Sequence, residues 1–89
     1  MAYHVEIEHQ AARAMVRLRR SDRSMADRID QAIEGLKANP RPDGSIKLTG
    51  MDAWRVRVGT YRVIYTINDT VMVVSVKRVG HRRESYRRL

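Results

Sequence analysis

Six side chains in this sequence could do chemistry together: Arg55, Arg57 and Arg62 in AWRVRVGTYRVIY, and His81, Arg82 and Tyr86 in GHRRESY. Guanidinium groups match phosphate oxygens in bidentate geometry, so three on one surface would make an anion site. His81 carries the only side-chain type whose ordinary pKa, about 6.5, suits proton transfer near neutrality. Tyr86 offers a hydroxyl and a ring on which a base could stack. Other chemistries find no support. His4, His9 and His81 lack metal-ligand spacing, and the carboxylates form no pair suited to hydrolysis. Gly50, Gly59 and Gly80 make no phosphate-loop motif. There is no cysteine, so disulfides and thiolate metal sites are excluded.

The arginines are positioned by alternation. Trp54, Val56 and Val58 fall on one side of an extended chain and Arg55 and Arg57 on the other. Gly59-Thr60 fits a two-residue hairpin loop with glycine first, the type II′ preference. That loop would pair Val58 with Tyr61, Arg57 with Arg62, Val56 with Val63 and Trp54 with Tyr65. One surface of the hairpin is then aromatic and branched-aliphatic, and Trp54, Tyr61 and Tyr65 are assigned to the core. The other surface gathers three arginines. Like charges directly opposite each other destabilise a sheet, so an anionic ligand is the economical explanation. His81, Arg82 and Tyr86 follow the end of a later strand, a common place for functional side chains on a rigid scaffold.

Charge agrees with this reading. The 89 residues carry a net charge of +8, and 43% are hydrophobic, enough for one core and one domain over residues 1–89. A basic balance of this size points to nucleic acid, an anionic membrane surface or an acidic protein. From Met51 onward nine arginines and lysines (Arg55, Arg57, Arg62, Lys77, Arg78, Arg82, Arg83, Arg87 and Arg88) face only Asp52, Asp69 and Glu84. The excess therefore sits on hairpins and tail rather than on helices, which disfavours a membrane-surface helix. No secretory signal and no apolar run of about 20 residues is seen, so a soluble, cytoplasmic protein is expected.

The remaining elements follow from periodicity. Tyr3 to Glu8 alternates as a short strand. Ala11, Ala14, Met15 and Leu18 recur at helical spacing, and so do Met25, Ile29, Ala32, Ile33 and Leu36. Ser24 with Asp27 resembles a capping box for the second helix, which is expected to stop at Asn39-Pro40. The short link makes the pair an antiparallel helical hairpin. After Ile67 the chain turns at Asn68-Asp69-Thr70 and returns as a strand from Val71 to Val79. The expected fold is α+β: a strand, two helices and a three-stranded antiparallel meander, with the helical hairpin packed on the sheet and a short C-terminal tail.

Three blocks in this order, IKLTGM, WRVRVGTYRVIYTI and VVSVKRVGHRRESY, resemble the RelE/ParE superfamily of bacterial toxins, specifically its RelE-like branch. The resemblance runs from Tyr3 to Tyr86. It implies the toxin of a type II toxin–antitoxin system, an endoribonuclease that cleaves mRNA in the ribosomal A site and is restrained by a cognate antitoxin. No cofactor, metal or membrane is implied. Arg55, Arg57 and Arg62 would hold the scissile phosphate, with Arg82 and Tyr86 beside them and His81 protonating the leaving oxygen. Lys47, Lys77, Arg78 and Arg83 would extend the RNA contact. Well-characterised RelE-like toxins carry lysines where this chain has Arg55 and Arg57. An arginine cannot act as a base, so that role would fall to His81, Tyr86 or an RNA group. Two other classes stay open: a non-catalytic ParE-like inhibitor of DNA gyrase, which generally lacks the arginine and tyrosine after the last strand, and a basic nucleic-acid-binding module without activity.

Overall fold

The computed structural model describes residues 2–83. Along the chain run β1 (His4–Ile7), α1 (His9–Ser21), α2 (Arg23–Gly35), β2 (Ile46–Lys47), β3 (Trp54–Val58), β4 (Tyr61–Asn68) and β5 (Val73–His81). The strands form one sheet in the order β1-β5-β4-β3-β2, antiparallel except for the parallel pair β1 and β5. Because β1 and β2 lie at opposite edges, the helical hairpin between them crosses one face of the sheet. That crossing is why one face is covered. The expected architecture is present, with a two-residue edge strand added at Ile46–Lys47. Among the described residues no helix is long and apolar enough to cross a membrane.

The core lies between helices and sheet. Ala11, Met15 and Leu18 of α1 and Ala26, Ile29 and Ile33 of α2 meet Val58, Val63, Tyr65, Val74, Val76 and Val79 of the sheet. The helix spacing and the strand alternation therefore converge on one apolar layer. Arg19 of α1 joins Asp30 of α2 at 2.8 Å across the hairpin.

Local boundaries differ from the sequence expectations in three places. The cap of α2 is Asp22, whose side chain accepts from the Met25 amide at 3.1 Å, not Ser24. One residue separates the helices, so Ser24 already lies inside the second. That helix ends at Gly35 rather than Asn39, because glycine is a poor helix former and Leu36, fully buried, tightens into a bond to the Ile33 carbonyl. β5 begins at Val73, not Val71: Met72 sits at φ 56° and Val71 is 63% exposed. The Asn68 side chain accepts from the Thr70 and Val71 amides and so extends the turn.

The loop after α2 is tied to the sheet by a polar cluster. Arg41 donates to Asp69 at 2.8 Å and lies 5.3 Å from the Trp54 ring centroid, while the Tyr3 hydroxyl donates to Asp69 at 2.6 Å. The Arg41 and Tyr3 bonds hold the Asp69 carboxyl below its usual range. A carboxylate with a depressed folded pKa contributes stability that is present above its unfolded pKa, about 4, and is lost as pH falls through the folded value. Solvent screening keeps the contribution small, since the side chain is 56% exposed. We expect Asp69→Asn to lower the melting temperature at neutral pH. The gap to wild type should close as the buffer is taken well below about pH 4; a gap that persists there would assign the effect to packing instead.

Candidate functional site

The face of the sheet away from the helices carries the arginines. The pairs between β3 and β4 are Trp54 with Tyr65, Val56 with Val63, Arg57 with Arg62 and Val58 with Tyr61, the register that alternation predicts. Only glycine has positive φ in the two-residue loop, Gly59 at 58°, as type II′ geometry requires. A side chain at Gly59 would also run into Met25 of α2, 2.8 Å from an ideal Cβ, so the turn is seated on the helix.

Arg57, Arg62 and Arg82 line a small hollow of about 130 Å³ together with Gly59 and Tyr61. The Arg82 amide donates to the Thr60 carbonyl at 2.7 Å, which folds the chain after β5 over the hairpin turn. Arg62 Nη1 reaches the Arg82 carbonyl at 3.4 Å. The Arg62 guanidinium is held below the usual arginine pKa, first by desolvation and then by Arg57, Arg55 and Arg82. It stays protonated at any physiological pH. The shift records desolvation first and then crowding of positive charge, and that crowding gives a field that favours an anion.

A second row on the same face runs Arg55, Ile64 and Arg78. A β-bulge interrupts β5 here: Tyr65 pairs with Val76 and Ile64 with Arg78, leaving Lys77 between them. Strict alternation would send Lys77 and Arg78 to opposite faces. Instead both line one cleft, since a bulge re-aims the residues it carries. Lys77 is engaged by Glu8 at 2.6 Å.

The other expected residues lie elsewhere. His81 pairs with Tyr61 and so falls in the row of Val58 and Tyr61, on the helix side of the sheet. Its ring meets the Tyr61 ring edge-on at 5.4 Å, and its Nδ1 accepts from the Arg83 amide at 3.2 Å. It does not line the hollow, which corrects the expectation of an imidazole among the guanidiniums. Lys47 pairs with Trp54 and is exposed at the β2 edge, away from the arginine rows. Arg83 is exposed beyond β5. Tyr86 lies outside the described residues. Tyr61 packs against the edge of the core as expected, and, being half-buried, it also lines the hollow. Its position directly after the hairpin loop, at the end of the sheet, is the sequence signal that marks it.

Comparison with known proteins places this arrangement. A family model described as the ParE toxin of type II toxin–antitoxin systems matches residues 5–86. The RelE–RelB complex from Pyrococcus horikoshii contains a chain 30% identical, with a TM-score of 0.81, covering 96% of this chain and 100% of that one. The toxin–antitoxin complex RelBE2 from Mycobacterium tuberculosis gives 24% identity and a TM-score of 0.79, covering 91% and 99%. The isolated RelE toxin of E. coli gives 24% and 0.78, covering 96% and 89%. These last two speak to the fold. A search of curated proteins returns no match.

Proposed function

This chain belongs to the ParE toxin family of type II toxin–antitoxin systems, within the RelE/ParE superfamily, and we propose that it is a toxin that cleaves mRNA in the ribosomal A site and is restrained by a cognate antitoxin. The observation that carries this reading is the meeting of Arg57, Arg62 and Arg82 in one hollow, with Arg55 adding its charge to the field. The 2′-hydroxyl attacks the adjacent phosphorus in line and the 5′-oxygen leaves. The products are a 2′,3′-cyclic phosphate and a 5′-hydroxyl end. The three guanidiniums donate to the non-bridging oxygens as charge builds on them, which is the preorganised stabilisation that is often the largest catalytic term. No imidazole or carboxylate lines the hollow among the described residues. That leaves proton transfer to water, to RNA groups or to Tyr86, and the ribosome supplies the in-line geometry of the strand. An antitoxin is supported by relatives solved as toxin–antitoxin complexes.

A second reading has its own support, because the matching family model is named for ParE. A gyrase inhibitor would act through protein contact and would leave RNA intact. Brief induction followed by mapping of RNA 5′ ends, beside a supercoiling assay, separates the two. We expect new 5′-hydroxyl ends within coding sequences and unaffected supercoiling. Intact mRNA with blocked supercoiling would overturn the ribonuclease reading.

A further inference from the structure

His81 stands off the arginine hollow, yet its Nδ1 is tied to the turn that carries Arg82 into it. We propose that His81 is a positioning residue: a latch that holds Arg82 at the hollow while the imidazole is neutral and lets it go in acid. The consequence for RNA rests on the reading of the hollow as a site for an RNA phosphate.

Three bonds frame Arg82. Its own amide donates to the Thr60 carbonyl at 2.7 Å, and its carbonyl accepts from Arg62 Nη1 at 3.4 Å. The next amide, that of Arg83, donates to His81 Nδ1 at 3.2 Å. This last bond closes a turn from a side chain to the amide two residues on. Among the described residues the same device recurs with asparagine: Asn39 Oδ1 accepts from the Arg41 amide and Asn68 Oδ1 from the Thr70 amide, both at 3.0 Å. An amide oxygen accepts at every pH. An imidazole nitrogen accepts only while it carries no proton, so the turn beside the hollow has an acceptor that acid removes.

With Nδ1 accepting, the neutral ring keeps its hydrogen on Nε2. Protonation makes Nδ1 a donor and sets it against the Arg83 N–H. Either the turn opens or the ring leaves its edge-on contact with Tyr61 at 5.4 Å, and both loosen the backbone that carries Arg82. The groups around the ring offer no compensation. β4 brings Tyr61 and, on its other face, Arg62; α1 brings Arg17, which shares a crevice with Tyr61 and Gly80; α2 brings Arg28, beside the Gly59 turn; Arg82 and Arg83 follow on the chain. The acidic side chains of α2 and its cap are turned elsewhere, Asp22 to the Met25 amide and Asp30 and Asp27 to Arg19.

The sign of the effect separates a latch from a direct contact. An added positive charge by itself strengthens the hold on a phosphate. Release of Arg82 removes about one phosphate contact, a loss on the order of tenfold at ~0.1 M salt.

The test follows the full chain by amide NMR at about pH 8 and about pH 5, either side of the range in which imidazoles titrate. Affinity for a short 2′-O-methyl RNA, which cannot be cut, is measured beside it at constant salt. Acid should shift the Arg82 and Arg83 amides, weaken binding by on the order of tenfold and lower the salt slope by about one ion. His81→Asn, which keeps an acceptor that does not titrate, should bind like the neutral wild type at both pH values. His81→Phe keeps a ring against Tyr61 without an acceptor and should bind at both as weakly as the acid wild type. Three results would overturn the latch: binding that strengthens in acid relative to His81→Asn, Arg82 and Arg83 amides that do not move, or a His81→Phe protein that binds tightly near neutrality. Amides that shift in acid with no RNA bound at either pH would sustain the latch and count against the ribonuclease reading instead.

Discussion

Arg62→Ala should abolish growth inhibition and lower the rate of mRNA scission by on the order of 10²–10³-fold, the scale seen when one preorganised donor to a developing charge is removed. The loss should come without unfolding. Arg62 faces Arg57 directly across the hairpin, and its guanidinium is depressed first by desolvation and then by three neighbouring arginines. Removing one of a like-charged set relieves repulsion, so the far-UV spectrum should stay native and the melting temperature should hold or rise. The bond from its Nη1 to the Arg82 carbonyl, lost with the side chain, is long at 3.4 Å. RNA affinity should also lose about one ion from its salt slope. Arg62→Lys should fall between the two, keeping the charge without the bidentate fork. A folded Arg62→Ala protein that remains fully toxic would refute the role.

Tyr65→Ala should cost about 3–5 kcal/mol, the range for truncating a large buried aromatic. In a domain whose total stability is about 5–15 kcal/mol, that is enough to leave much of the population unfolded at 37 °C. Tyr65 is fully buried, the largest such side chain, and packs in the row of Trp54 and Val76. Its hydroxyl donates to the Pro40 carbonyl at 2.8 Å, fastening the loop after α2 to the middle strand of the sheet. Tyr65→Phe isolates that bond. It leaves a buried carbonyl without its donor and should cost about 1–3 kcal/mol. Urea unfolding measures both. A Tyr65→Phe protein as stable as wild type would mean that solvent or another donor already serves Pro40.

The hairpin was legible because two local signals agreed, strict alternation from Trp54 to Val58 and a glycine-first loop at Gly59-Thr60. Every cross-strand pair expected from them is present. The fold class was legible for the same reason, since helical and strand periods do not overlap. What escaped was whatever depends on a single residue winning locally. Asp22 outcompeted Ser24 as a cap because the first helix runs on to Ser21. The bulge at Lys77 has no glycine to announce it and appears only when β4 and β5 are laid side by side. The face occupied by His81 follows from the same pairing: its sequence neighbours Arg82 and Arg83 suggest company, but the pleat turns its ring toward Tyr61. The convergence of Arg82 with Arg57 and Arg62 needed the bond from its amide to Thr60, which joins residues distant in sequence.

The place of β5 between β1 and β4 has a further consequence for a protein made from its N-terminus outward. β1 emerges early and has no partner until the latest-made strand arrives to lie beside it. The β3–β4 hairpin can close on its own, but the hollow lacks Arg82 until residues beyond β5 have left the exit tunnel. Contacts this distant along the chain also form slowly. A half-made copy of this molecule therefore lacks the full set of arginines around the hollow, and so does any fragment cut before Val73.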